Sequence, residues 1–187
     1  MDPFTAFRIH QDNDQIVARL EQISLDDLCT GDVVIRTVWS SINYKDALAA
    51  TGAGKILRQY PLVGGIDAAG IVVSSEDVRF SAGDEVLVTG AGLSETRDGG
   101  YAEFARFPAE LVIPLPVGLT LREAMVIGTA GFSAGLAVYR MEQNGQHPAL
   151  GPIAVTGATG GVGSVAIDIL AGLGYAVTAI SAKTSAE

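Results

Sequence analysis

Four glycines, Gly157, Gly160, Gly161 and Gly163, lie between two short apolar stretches and are the residues of this sequence best spaced for chemistry. Residues 153–155 read as a buried parallel strand. Residues 162–173 read as an amphipathic helix stopped at Gly174, and residues 176–180 as a second apolar strand. A strand, a glycine turn, a helix and a second strand form the unit that holds a dinucleotide pyrophosphate. Two registers of the G-x-G-x-x-G/A pattern are possible: Ala158-x-Gly160-x-x-Gly163, or Gly161-x-Gly163-x-x-Ala166. The first is preferred, because residues 157–161 then form the loop and the helix starts beneath the phosphates. In that register Thr159, Gly160, Gly161, Val162 and Gly163 bind the cofactor. Gly160 lets the backbone approach the pyrophosphate, and Gly163 lets the helix pack close to the strand. Free N–H groups at the helix start, with the positive end of its dipole, supply the anion site.

The end of the second strand selects between dinucleotides. An NAD site places Asp or Glu there for the ribose 2′-hydroxyl. This sequence has Ser181, Ala182 and Lys183: a hydroxyl and a positive charge, with no carboxylate to repel a 2′-phosphate. The expected cofactor is NADPH.

The elements that must carry these residues follow from composition. The 187 residues are 48% hydrophobic, with 23 glycines, which suits a sizeable core built from short strands and turns. The net charge of −9 argues against nucleic acid and against an anionic membrane as partners. A single cysteine, Cys29, forbids an intrachain disulfide and fits a reducing cytoplasm; His10 and His147 lie in no motif, so no metal site is expected. No run is read as long enough to span a membrane. Residues 5–9, 16–20, 32–40, 70–74, 85–89 and 100–107 alternate or run apolar with β-branched content and read as strands of a partly closed barrel. Pro114 and Pro116 punctuate the chain. Residues 121–141 read as a helix broken at 128–131, and residues 142–152 lead into the nucleotide unit. A full six-stranded nucleotide domain needs on the order of 100 further residues at roughly 30 per βαβ unit. The expectation is the front portion of an oxidoreductase.

The order of motifs adds a resemblance. A β-rich start, Gly-Asp-Glu-Val at 83–86, Gly-Gly-Tyr-Ala-Glu-Phe at 99–104, IGTAGFSAG and VTGATGGVG resemble the medium-chain dehydrogenase/reductase superfamily over almost the whole chain. WSSINYKDAL at 39–48, GGIDAAG at 64–70 and SEDVRF at 75–80 look like its zinc-free, quinone-oxidoreductase-like branch, which includes the acrylyl-CoA reductase group. The resemblance implies a GroES-like barrel domain (1–120), an inter-domain helix and linker (121–152) and the first βαβ unit of a Rossmann domain (153–187), with the active site in the cleft between domains. It also implies a homodimer for the longer protein. Where zinc-dependent members hold Cys, His and Cys, this sequence has Asn43, Ile66 and Thr129, and the four-cysteine zinc lobe is missing, so zinc chemistry is disfavoured.

What the resemblance implies instead is hydride delivery to an activated carbon–carbon double bond. Tyr44 is expected against the nicotinamide, Asn43 as a donor to the substrate carbonyl, and Thr129 at the nicotinamide end, while Asp46 fixes the loop. A turn into a helix at 47–51 is the plainer reading of Asn43–Asp46. The substrate is expected to be acrylyl-CoA or a related short enoyl-CoA, with Lys45, Lys55 and Arg58 available for the CoA phosphates. The alternatives are a quinone reductase, a short-chain dehydrogenase with its turn displaced from the N-terminus, and a non-catalytic fragment that binds nucleotide weakly. This chain alone is expected to turn over little.

Overall fold

The computed structural model describes residues 2–13 and 15–182. The chain divides into two compact units, Met1–Gly128 and Thr129–Glu187. The boundary falls inside a helix, so the segment expected as inter-domain helix and linker is shared between the units.

The first unit is built from strands. β1 (Phe4–Asp12) and β2 (Gln15–Ile23) form an antiparallel hairpin, with Phe4 opposite Ile23 and Asp12 opposite Gln15. β4 (Leu62–Val63) adds to the other side of β1, giving the order β2-β1-β4. A second sheet runs β7-β3-β5-β6-β8, from β3 (Val33–Trp39), β5 (Asp67–Ser75), β6 (Glu85–Thr89), β7 (Phe104–Phe107) and β8 (Ile113–Pro114). Alternate residues of these strands, including Val33, Ile35, Val72, Val86, Val88 and Phe107, point inward and form the main core with Phe80 and Leu93. A smaller cluster of Phe4, Ala6, Ile23, Leu28 and Val63 fills the other end, with the Phe4 and Phe104 rings edge to face at 5.3 Å.

Three expectations change here. The strand read at 100–107 shrinks to β7, because the Gly99, Gly100 and Tyr101 N–H groups bond the Val63, Gly65 and Gly64 carbonyls outside the sheet. A Cβ on Gly99 would overlap the Gly65 carbonyl oxygen, so glycine is what lets these two loops meet. Pro114 belongs to a strand, an edge one, where its missing N–H costs nothing. The helix expected from residue 47 starts three residues earlier: α1 spans Tyr44–Thr51, with Asn43 as N-cap.

α2 (Leu121–Gln143) opens on a capping box: Thr120 N donates to Glu123 Oε2 (2.8 Å) and Glu123 N to Thr120 Oγ1 (3.2 Å). Its first turns bury Leu121, Ala124 and Met125 on Ala69 and Leu87 of the first unit. The expected break falls at Gly128, whose φ of 48° and ψ of −159° only glycine adopts without strain. Taken whole, α2 is long and apolar enough by length and composition to cross a membrane. The sequence reading had no run of that length, because the break divides it into two shorter pieces.

In the second unit, β9 (Ile153–Thr156) pairs in parallel with β10 (Val177–Ile180), joined by α3 (Gly161–Gly172). Val138, Leu170 and Tyr175 form its core with Met141, Ile153, Val155 and Val177. Both strands and the helix lie within a residue or two of their expected bounds.

Candidate functional site

The stretch around Asn43 must satisfy buried polar groups before it can serve a ligand, and its hydrogen bonds are extensive. Asn43 N donates to Asp46 Oδ2 (2.8 Å), which fixes the first turn of α1. Asp46 is buried, and its other oxygen accepts from Ile66 N (3.0 Å). Asp46 therefore ties α1 to the loop before β5. Next to it stands Asp67, which has no solvent exposure. Asp67 Oδ2 accepts from Ser41 Oγ and from Asn43 Nδ2 (2.8 Å), while its backbone carbonyl accepts from Ser40 Oγ (2.6 Å). Asn43 Nδ2 also lies 3.1 Å from Ser41 Oγ.

Two tyrosines frame this cluster and differ sharply. Tyr101 donates its hydroxyl to the Ser41 carbonyl (2.9 Å). Burial, then the nearby Asp46 and Asp67 carboxylates, push its phenol well above the ordinary range, so Tyr101 holds its proton. Tyr44, the first residue of α1, is 80% exposed, and its hydroxyl has no partner among the described residues. Of the two phenols, only Tyr44 is free to meet a ligand.

Of the three cations expected for CoA, two are engaged together. Lys45 Nζ lies 2.7 Å from Glu95 Oε2, and Arg58 Nε 3.7 Å from Glu95 Oε1. The hydrogen bond from Lys45 holds the Glu95 carboxyl below its usual range. Lys55 is exposed. Ile66 is buried and apolar and offers a metal no donor. Among the described residues, no group of three or more His, Cys, Asp or Glu could hold a metal ion. Burial and Asp98 push the Cys29 thiol up, which makes it a poor nucleophile.

The glycine turn belongs to the second unit. Gly157 has a φ of 61°, and Gly160 caps α3 with extended dihedrals (−84°, 167°) and donates to the Gly157 carbonyl (2.9 Å). Gly163 is buried in the first turn of α3, where a Cβ would overlap the Gly157 carbonyl oxygen. Gly163 therefore takes the packing position of the first register. Thr159, Gly160, Gly161 and Val162 are exposed around the helix start, whose first turn carries no acidic residue. The open N–H groups and absent side chains fit a pyrophosphate. Ser181 and Ala182 follow β10 and are exposed; Lys183 lies outside the described residues. Thr129 opens the second unit, half-buried, directly after the Gly128 break.

Sequence reasoning gave Ser41, Asp67 and Tyr101 no part in the site and read Gly128 only as the start of a helix break. The signal was present: a lone carboxylate inside the apolar run Gly-Gly-Ile-Asp-Ala-Ala-Gly, where an acid must find donors to be buried.

Residues 30–117 match the alcohol dehydrogenase GroES-like domain. The chain is 46% identical over 182 residues to acrylyl-CoA reductase AcuI of Ruegeria pomeroyi, covering 96% of this chain and 55% of that protein. It superposes on the yhdH oxidoreductase of Salmonella enterica, crystallised in complex with NADP, with a TM-score of 0.93 and 48% identity, over 96% of this chain and 56% of that one. For Bacillus subtilis yhfP with NAD bound the TM-score is 0.91 and the identity 49%, over 96% and 54% of the two chains. The chain thus spans little more than half the length of these relatives. Residues 30–117 thus belong to the alcohol dehydrogenase GroES-like domain family, and with a nucleotide-type glycine turn in the second unit the chain is similar, along almost its whole length, to the first part of medium-chain dehydrogenases/reductases.

Proposed function

We propose that the chain serves a zinc-independent, NADPH-dependent reductase of an activated carbon–carbon double bond, with acrylyl-CoA or a related short enoyl-CoA as substrate. The observation that carries this is the turn at 157–163, whose packed Gly163 and open helix start suit a dinucleotide pyrophosphate, in a chain 46% identical to an acrylyl-CoA reductase. Ser181 at the end of β10, where an NAD site has a carboxylate, favours NADPH over NADH. Both dinucleotides occur among the related structures, so this preference rests on the residues of this chain.

The bound nicotinamide would supply the hydride. This chain's residues then have two tasks. As hydride reaches the carbon remote from the thioester, negative charge collects on the carbonyl oxygen, and an N–H of Asn43 would stabilise it. The neighbouring carbon must gain a proton, and the exposed Tyr44 phenol is the group able to lie against the reacting atoms and supply it. Thr159, Gly160, Gly161, Val162 and Gly163 would hold the pyrophosphate, Ser181, Ala182 and Lys183 the 2′-phosphate, and Thr129 the nicotinamide end. Asn43, Ile66 and Thr129 are a donor set unsuited to Zn²⁺. A half-buried thiol with a raised pKa and no other cysteine suits the reducing cytoplasm.

The test is a fluorescence titration of the purified chain with NADPH and NADH, followed by turnover of acrylyl-CoA against a quinone. Saturable binding that prefers NADPH supports the reading. Absence of binding to either dinucleotide would falsify it, and faster reduction of the quinone would replace the substrate.

A further inference from the structure

The cluster beneath the start of α1 contains a side chain that no step above requires. Asp67 is wholly buried, yet its Oδ2 accepts from both Ser41 Oγ and Asn43 Nδ2. The geometry at Asn43 Nδ2 decides what that arrangement does. The two N–H bonds of a primary amide diverge by about 120°. Ser41 Oγ and Asp67 Oδ2, at 3.1 and 2.8 Å from Nδ2, are hydrogen-bonded to each other. They therefore subtend roughly 55° or less at the nitrogen. Two acceptors that close share one amide hydrogen. The other hydrogen points away from the pair and meets no acceptor among the described residues.

The same contacts fix which way the amide faces. The single hydroxyl hydrogen between Ser41 and Asp67 is already used, so a flipped amide would set its oxygen against two further oxygens with no hydrogen to spare. Gly128 covers the pair from above: a Cβ there would stand 2.9 Å from Asp67 Oδ2 and 3.2 Å from Ser41 Oγ.

We propose that Asp67 is a positioning residue which, together with Ser41, pins the Asn43 amide nitrogen-inward and leaves its second N–H as the donor for a ligand carbonyl oxygen. The proposal rests on the reductase reading for the identity of that ligand, and not for the pinning itself. Asp67 touches no reacting atom in this scheme and acts through Asn43.

Hydrogen exchange of the Asn43 side-chain amide, followed by ¹⁵N NMR on the unaltered chain, tests the pinning without any ligand. One hydrogen is expected to exchange at least about 10-fold more slowly than the other. The two become equal in Asp67→Asn. Ser41→Ala leaves the carboxylate in place, narrows the difference and serves if Asp67→Asn does not fold. Equal exchange of the two hydrogens in the unaltered chain overturns the proposal. In the acrylyl-CoA assay, Asn43→Ala is expected to lower kcat about 100-fold with the KM for NADPH unchanged. Adding Asp67→Asn to it lowers kcat no further. Losses that multiply in the double variant overturn the proposal as well, since a purely structural Asp67 would act independently of Asn43. Absence of NADPH and NADH binding to the unaltered chain would bring down the reductase reading, while the exchange pattern still decides the pinning.

Discussion

Tyr44 and Tyr101 carry the same phenol into opposite circumstances, and that contrast sets what each can be asked to do. Tyr44→Phe removes a hydroxyl that has no partner among the described residues, so its unfolding midpoint should match that of the unaltered chain. Its kcat for acrylyl-CoA should fall about 10- to 100-fold if it delivers the proton. An unchanged kcat would remove Tyr44 from the mechanism. Tyr101→Phe deletes the hydrogen bond to the Ser41 carbonyl and is expected to cost about 1 kcal/mol of stability, read from denaturant unfolding of the two chains. Because folding raises the Tyr101 pKa, the protonated phenol favours the folded state. That contribution is whole below the ordinary phenol value of 10.0 and is lost as the pH climbs above it. The stability gap between the unaltered chain and Tyr101→Phe should therefore narrow between pH 9 and pH 11. A gap that widens there would contradict the assignment.

Elements whose sequence pattern and packing agree were legible, and those made by contacts distant in sequence were not. β6 and the βαβ unit have apolar periodicity with glycine punctuation, so their bounds could be read almost to the residue. β4 and β8 are two residues long and exist only because β1 and β6 lie beside them, which no local pattern announces. The start of α1 was missed for a related reason: Asn43 and Asp46 read as a turn, and a capping box is a turn that continues as helix. The glycine turn was readable in the candidate site because its chemistry is local. The Asp67 cluster was not, since Ser41, Asp67, Tyr101 and Gly128 come from four separate parts of the chain. Gly128 gives this scale its test. Gly128→Ala forces a side chain into a backbone conformation reserved for glycine and against the Asp67 carboxylate. It should destabilise the chain by about 2 kcal/mol and remove the unequal exchange of the Asn43 amide. A neutral effect on both measurements would mean that the break relaxes into ordinary helix. Glu95 makes a second, electrostatic link, from α1 to the loop carrying residue 95. Its carboxyl is held below its usual 4.5, so the stabilisation from Lys45 and Arg58 is present above that value and lost as pH falls below it. Glu95→Gln should melt earlier than the unaltered chain at pH 7 and together with it at pH 3.

At the scale of the molecule the two units are unequally provided. Among the described residues, the first has eight strands and a core reaching from Val33 to Val112. The second has a two-stranded sheet, and two strands alone are marginal in water without a packed face. Its core of Val138, Leu170 and Tyr175 covers one side of β9 and β10, whereas Ala154, Thr156, Thr178 and Ile180 are exposed on the other. Phe132, Leu136 and Tyr139, at helical spacing along α2, are exposed as well. A unit that leaves this much apolar surface in water opens at lower free energy than its neighbour. Backbone amides of β9, α3 and β10 are therefore expected to exchange with solvent before those of β3, β5 and β6. A dinucleotide seated on the turn at 157–163 binds only the closed form of that unit, and stabilises it in proportion to the logarithm of its concentration over Kd. Adding NADPH at 100 times its Kd should slow exchange in β9, α3 and β10 by about 100-fold and leave β3, β5 and β6 unchanged. Uniform slowing across both units would mean that they open together. No slowing at all would mean that the turn, whatever its likeness to a pyrophosphate site, does not hold the cofactor in this chain.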